Sequence, residues 1–253
     1  MDPHPAPAGV ATPVDRRDLA DATWPDLPAT PTVLVPLGSL EQHGPHLPLD
    51  TDAAIADAVA RRVAELLDPD GSGDLWVAPP VVYAASGEHQ MFAGTASIGT
   101  DALHALLVEL TRSLRTWAGR VVFVNAHGGN LQALGAALRQ LRAEGHDVTW
   151  APCATEEVDA HAGFIETSLM LHLRPAAVRL DRAVAGNTTP VHELLPALRS
   201  GGVGAVSANG VLGDPAGASA AEGERVLEAM ARDVVQRLAR EGTAAAQPAG
   251  APA

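Results

Sequence analysis

The run Arg120-Val121-Val122-Phe123-Val124-Asn125 is apolar at four successive positions, where a half-exposed strand would alternate. Such a run suits a strand covered on both faces, so other layers must lie above and below it. A second run, Thr32-Val33-Leu34-Val35-Pro36-Leu37, ends at Gly38 and reads the same way. Helical periodicities alternate with these runs. Ile55, Val59, Val63, Leu66 and Leu67 share one face of a helix over 52–67, with Asp50, Thr51 and Asp52 available to cap it. Leu103, Leu106, Leu107, Leu110, Leu114 and Trp117 mark a second helix. Residues 131–143, 168–173 and 222–239 read as further helices, and 147–152 as a strand. The run 75–82 is an edge or irregular strand, because Pro79-Pro80 interrupts it. The glycine-rich stretch from Ala183 to Gly217 follows no period. Strands alternating with helices imply an α/β fold: a three-layer α/β/α sandwich around a mainly parallel central sheet. The expected organisation is a flexible N-terminal arm over 1–26, a single catalytic domain over 27–240 and a disordered tail over 241–253.

A chain of 253 residues, 47% of them hydrophobic, can bury one substantial core. The net charge of −13 argues against nucleic acid or an anionic membrane as the main partner. Cys153 is the only cysteine, which forbids an intrachain disulfide and suits a reducing cytoplasm. With no partnered base at a recognisable spacing, it is a poor candidate for a thiol protease. No apolar run approaches the ~20 residues that span a bilayer, and the first residues carry no signal-peptide pattern.

Chemistry concentrates at strand ends. Just past the first strand, Gly38-Ser39-Leu40-Glu41-Gln42-His43-Gly44-Pro45-His46-Leu47-Pro48-Leu49-Asp50-Thr51-Asp52 carries a glutamate, two histidines and two aspartates. His127 lies two residues beyond Asn125, and His161 and Glu166 follow the strand that contains Trp150. In a doubly wound sheet, sites form in the crevice beyond the carboxyl ends of the strands. Glu41 and His43 point to one side in extended backbone, and Asp52 opens a helix whose dipole favours a carboxylate. Mixed imidazole and carboxylate donors suit zinc, manganese or iron(II). Taken singly, each histidine is more often structural than metal-bound, and Asp52 could serve only as a cap. Their joint placement after three strands is what points to a two-metal site.

The segments VPLGSLEQHGPHLPLDTD, GEHQMFAGT, VVFVNAHGGN and HAGFIETS resemble the creatininase family of metal-dependent amidohydrolases, over roughly 27–238. That resemblance implies Glu41, Asp52 and His127 around one metal, Asp52 bridging to a second, and His43 on the second. Creatininase proper places another glutamate two residues beyond the histidine that matches His127. Gly129 stands there in this chain, and Glu166 is the natural substitute. His161 matches a histidine that handles substrate or shuttles a proton, so His161 and Glu166 are the catalytic candidates. Glu88, His89, Asn125, Asn130 and His46 are candidates for touching substrate or orienting ligands. Ala126 stands where most relatives have glycine, Ala93 where proline is common, and Phe164-Ile165 where a polar residue is common.

The resemblance further implies two divalent ions, zinc and/or iron(II) with manganese also compatible, and a homo-oligomer, a hexamer among the options. The expected reaction is metal-dependent peptide hydrolysis, cutting a modified, ribosomally made precursor peptide before its altered C-terminal Val-Tyr unit. The rivals are an amidohydrolase of a small cyclic amide or formamide and, lower, a metal-dependent peptide-binding protein without catalysis.

Overall fold

A computed structural model describes residues 17–71, 73–154 and 159–246. Four strands, β1 (Thr32–Leu37), β2 (Leu75–Val77), β3 (Arg120–Asn125) and β4 (Val148–Pro152), form one parallel sheet in the order β2-β1-β3-β4. The helices are α1 (Thr51–Leu67), α2 (Thr100–Leu114), α3 (Leu131–Ala143), α4 (Phe164–Leu173), α5 (Val191–Gly201) and α6 (Ala220–Ala246). Helices α1, α4 and α6 pack together on one face of the sheet, and α2 and α3 on the other. The expected α/β/α sandwich is therefore the observed architecture.

The pleat explains both faces of β3. Val122 and Val124 point into the core with Ile55, Val59, Leu169 and Val226, while Val121 and Phe123 point into the core with Leu103, Leu107, Leu134 and Leu141. Each fully buried aliphatic side chain contributes about 1.5–3 kcal/mol. Strands β1 and β3 are in register from Thr32↔Arg120 to Leu37↔Asn125, and Asn125 pairs onward with Pro152 of β4. Three strands thus end level with one another.

Several boundaries differ from expectation. The strand expected over 75–82 stops at Val77; the two prolines lack amide donors, and only Val81 rejoins the sheet as a single bridge to Leu37. Helix α4 begins four residues earlier than the hydrophobic pattern suggested, so Glu166 lies in its first turn rather than at a strand end. The stretch from Ala183 to Gly217 contains α5, which Pro196 and the flanking glycines disguised. Residues 1–16 of the expected arm, and 247–253 of the expected tail, lie outside the described residues. Within the expected arm, Asp18 bridges to Val77, and the Leu19 amide donates to the Val77 carbonyl at 2.9 Å. Helix α6 continues to Ala246, past the expected boundary at 240, where Glu241 accepts from Arg120 and Thr149.

Candidate metal centre

The loop after β1 returns to the sheet through the start of α1. Gly38 makes this possible: a Cβ there would approach the backbone carbonyl carbon of Asp52 to 2.8 Å. None of the three expected caps serves α1 through its side chain. Asp50 holds Arg174 in a two-pronged pair at 2.6 and 2.9 Å, Thr51 donates to the Pro48 carbonyl at 2.7 Å, and Asp52 turns inward. One Asp52 oxygen lies 3.1 Å from His43 Nε2 and the other 3.3 Å from His127 Nδ1.

Glu41 is fully buried beside them. Its oxygens lie 3.2 Å from His89 Nε2 and 3.2 Å from His127 Nε2, yet neither accepts a hydrogen bond, and Asp52 Oδ2 accepts none either. Buried carboxylate oxygens without donors are costly unless a cation satisfies them. Glu166 reaches the same place from α4, 3.8 Å from His43 Nε2, and accepts the Ala162 amide at 2.6 Å. Ala162 holds a left-handed φ of 53°, a strained conformation for a residue with a Cβ. The ligand atoms of Glu41, Asp52 and His127 lie within 4.8 Å of one another, as do those of His43, Asp52 and Glu166 and those of Glu41, His43 and His161. Asp52 belongs to two of these groups, so this donor set fits two neighbouring cations.

The electrostatics say the same. Burial, then the charge of Asp52, pushes Glu41 up to about 8. Burial likewise pushes Glu166 up to about 7. For His43, burial opposes the charge, but Asp52, Glu166 and Glu41 outweigh it and drive the pKa up to about 10. His127 rises well above its ordinary value: Glu41 and Asp52 overcome its burial. For Asp52, burial favours the acid, but His43 and His127 overcome it and hold the carboxyl below its usual range. Without cations, protons on His43 and His127 balance the buried carboxylates.

His161 stands beside this group, its ring centroid 4.4 Å from that of His43 and 4.5 Å from that of His89. Backbone pairing with Leu212 fixes the segment. His161 Nε2 donates to the Gln42 carbonyl at 2.9 Å, which leaves Nδ1 free of its proton and 3.8 Å from Glu41. Burial, then His43 and His89, keeps its pKa well below the ordinary value. Gln42 was not singled out in the sequence. Its Oε1 accepts the Gly44 amide, so its Nε2 is the atom facing His89 Nδ1 at 2.9 Å. That contact places the remaining His89 proton on Nε2, toward Glu41; burial, then His127, pulls the His89 pKa down to about 4.

The other candidates divide. Glu88 Oε1 approaches His127 Nε2 to 3.4 Å, closer to the ligand atoms than an outlying substrate contact would be. Asn125 donates to the His127 carbonyl at 2.8 Å, and Asn130 donates to Asn125 and to the Gly38 carbonyl, so both brace the ligand loops. His46 meets Thr167 at 2.9 Å, beside Glu166. Ala126 has no positive φ and so carries none of the strain its replacement of glycine might have caused. Burial, then Asp52, raises the Cys153 pKa and disfavours its thiolate.

A cleft of about 970 Å³ opens from Glu41, His127 and His161 toward α5. Among the described residues, no helix is long and apolar enough to cross a membrane.

The family model described as "Creatininase: Creatinine amidohydrolase" matches residues 20–238. The chain is 57% identical over 210 residues to the mycofactocin precursor peptide peptidase of Mycolicibacterium smegmatis, covering 83% of this chain and 85% of that protein. A solved structure titled "Creatininase Mn" is 27% identical with a TM-score of 0.71, covering 89% of this chain and 98% of that one. A mutant creatininase of "Zn-Zn type" is 26% identical with a TM-score of 0.70, covering 88% and 97%.

Proposed function

The chain belongs to the creatininase family, and from that premise we propose that it is a metal-dependent peptidase of mycofactocin biosynthesis. It hydrolyses the amide bond before the modified C-terminal Val-Tyr unit of the precursor peptide. The observation that carries this reading is the open, apolar-walled cleft of about 970 Å³ leading to the buried carboxylates and imidazoles. It has room for a peptide end, far more than a one-ring amide needs.

In this reading Glu41, Asp52 and His127 hold one divalent ion, and His43, Asp52 and Glu166 the other. Support comes from the orphaned oxygens of Glu41 and Asp52 and from the two ligand groups that share Asp52. Zinc, iron(II) and manganese all suit these donors. When bound, the ions supply Lewis acidity, polarising the amide carbonyl and making water nucleophilic at neutral pH.

The side chains do the remaining work. His161, with Nδ1 unprotonated toward the centre, takes a proton from the attacking water and hands it to the departing amine. The Gln42 carbonyl holds the ring in that tautomer. Glu166, which in this reading also holds the second ion, is the other candidate for carrying a proton. His89 and Glu88 steady Glu41 and His127. The reading also includes a cytoplasmic homo-oligomer, supported by the single cysteine for the compartment and by the family resemblance for the assembly.

Protein stripped by a chelator should stop releasing the C-terminal dipeptide by mass spectrometry, and zinc, iron(II) or manganese should restore release. Creatinine offered side by side should turn over far more slowly. Full activity in a demonstrably metal-free sample, or faster turnover of creatinine than of peptide, would overturn the assignment.

A further inference from the structure

The floor of the cleft carries the ligand groups, and its wall carries apolar side chains. Val191, Leu195 and Leu198 of α5, four and three residues apart, form one helical stripe along it, and Met91 and Leu131 line it as well. Met91 is 74% exposed, Leu131 48% and Leu195 39%, so this one cleft leaves much apolar surface to solvent. Gln90 and Gln132 add neutral amides to the same lining.

Two glycines seat this wall against the centre. Gly202 holds a φ of 66°, and a Cβ there would come 2.5 Å from the Glu88 carbonyl oxygen, so the end of α5 rests on the Gly87–His89 turn. A Cβ on Gly204 would come 2.9 Å from Met91 Sδ, so the thioether rests on that stretch of backbone. Glu88 Oε1 lies 3.4 Å from His127 Nε2, and His89 Nε2 3.2 Å from Glu41. The wall therefore begins where the ligand atoms end.

We propose that this wall seats the tyrosine-derived aromatic ring of the unit being released, with Met91 and Leu195 as the residues that select it. The inference rests on the peptidase reading above and adds to it the subsite that recognises the released unit. A phenol ring is a large apolar body with a polar tip. The α5 stripe covers the body, the Met91 sulfur favours an aromatic neighbour, and Gln90 and Gln132 offer the hydroxyl neutral partners. The unit directly follows the bond to be cut, so its ring must lie against whatever borders the centre. The ring is also uncharged, so a protein of net charge −13 does not repel it. An extended stretch of peptide fits this wall less well. Its backbone seeks a strand edge, and a helix, whose amides and carbonyls bond along its own axis, offers none.

The reaction itself makes the two probes for a test: the released C-terminal unit, which carries the ring, and the truncated peptide, which has lost it. Each is titrated as a competitive inhibitor of precursor cleavage by metal-loaded wild type, Met91→Ala, Leu195→Ala and Met91→Leu. Both alanine variants should bind the released unit about 5–20-fold more weakly and raise KM for the modified precursor to match, with kcat changed less than KM. The truncated peptide should inhibit them as it inhibits wild type, and Met91→Leu should recover most of the lost affinity. Equal weakening of both products, or of the truncated peptide alone, in variants whose circular dichroism melts match wild type would overturn the proposal. So would a released unit that fails to inhibit wild type or inhibits the alanine variants equally well. A shifted mass of those variants in sedimentation velocity would then give the wall to a second copy of the chain. Creatinine turnover without cleavage of the precursor would instead sink the peptidase reading, and this inference with it.

Discussion

Glu88 Oε1 lies 3.4 Å from His127 Nε2, in space that a side chain on residue 129 would otherwise take. A Cβ built on Gly129 would collide with that Glu88 oxygen, with His127 Nε2 and with the Ala85 carbonyl. A side chain at residue 129 has no room while Glu88, His127 and the Ala85 carbonyl hold these positions. We therefore expect Gly129→Ala to lower kcat/KM by tenfold or more and to cost about 1–3 kcal/mol of stability. Steady-state kinetics with a urea melt would check both. An unchanged kcat/KM would show that Glu88 need not stay where it is.

Asp52 faces His43 with one oxygen and His127 with the other, and belongs to both ligand groups. Asp52→Ala should abolish peptide cleavage and reduce bound metal from two ions per chain to one or none. Elemental analysis after gel filtration would read the metal, and circular dichroism the fold. Two retained ions would disprove the shared-ligand role.

Proton linkage gives a third expectation. In metal-free protein Glu41 titrates near 8 when folded against 4.5 unfolded, and His43 near 10 against 6.5. Both are raised, so the folded state holds more protons than the unfolded chain. Stability present at low pH is then lost as pH rises toward 8 and beyond. His89, lowered to about 4, acts in the opposite sense, but only between about 4 and 6.5. The melting temperature of chelated protein should therefore fall between pH 6.5 and 8.5. Zinc or manganese should remove most of that fall and release protons on binding, measurable by calorimetry in two buffers of different ionisation enthalpy. A flat chelated profile, or metal binding without proton release, would contradict the electrostatics of the site.

His161 is oriented by the Gln42 carbonyl and stands beside the ligand groups that share Asp52. Changing His161→Ala should lower kcat by about 10²–10⁴-fold while leaving metal content and the melting temperature near wild type. Single-turnover kinetics with metal analysis separates this from a ligand role, which would lose an ion as well.

The sequence by itself determined what local physics encodes. A run apolar at four successive positions, as from Val121 to Val124, suits a doubly covered strand, and the spacing over Leu131–Ala143 buries one helical stripe, so both were legible with their limits. The chemical types at the strand ends were legible too, because Glu41, His43, Asp52 and His127 crowd short loops. The tertiary structure decided what depends on distance through space. The register that levels Leu37, Asn125 and Pro152 brings three loops to one edge. The missing cap bonds of Asp50, Thr51 and Asp52 became visible only there, as did Gln42 between two imidazoles, Glu88 in the place of a residue-129 side chain, and the α5 wall. Periodicity reports which face of an element is buried. It carries no information about which distant side chains meet there, because that follows from strand order and packing rather than from neighbours along the chain.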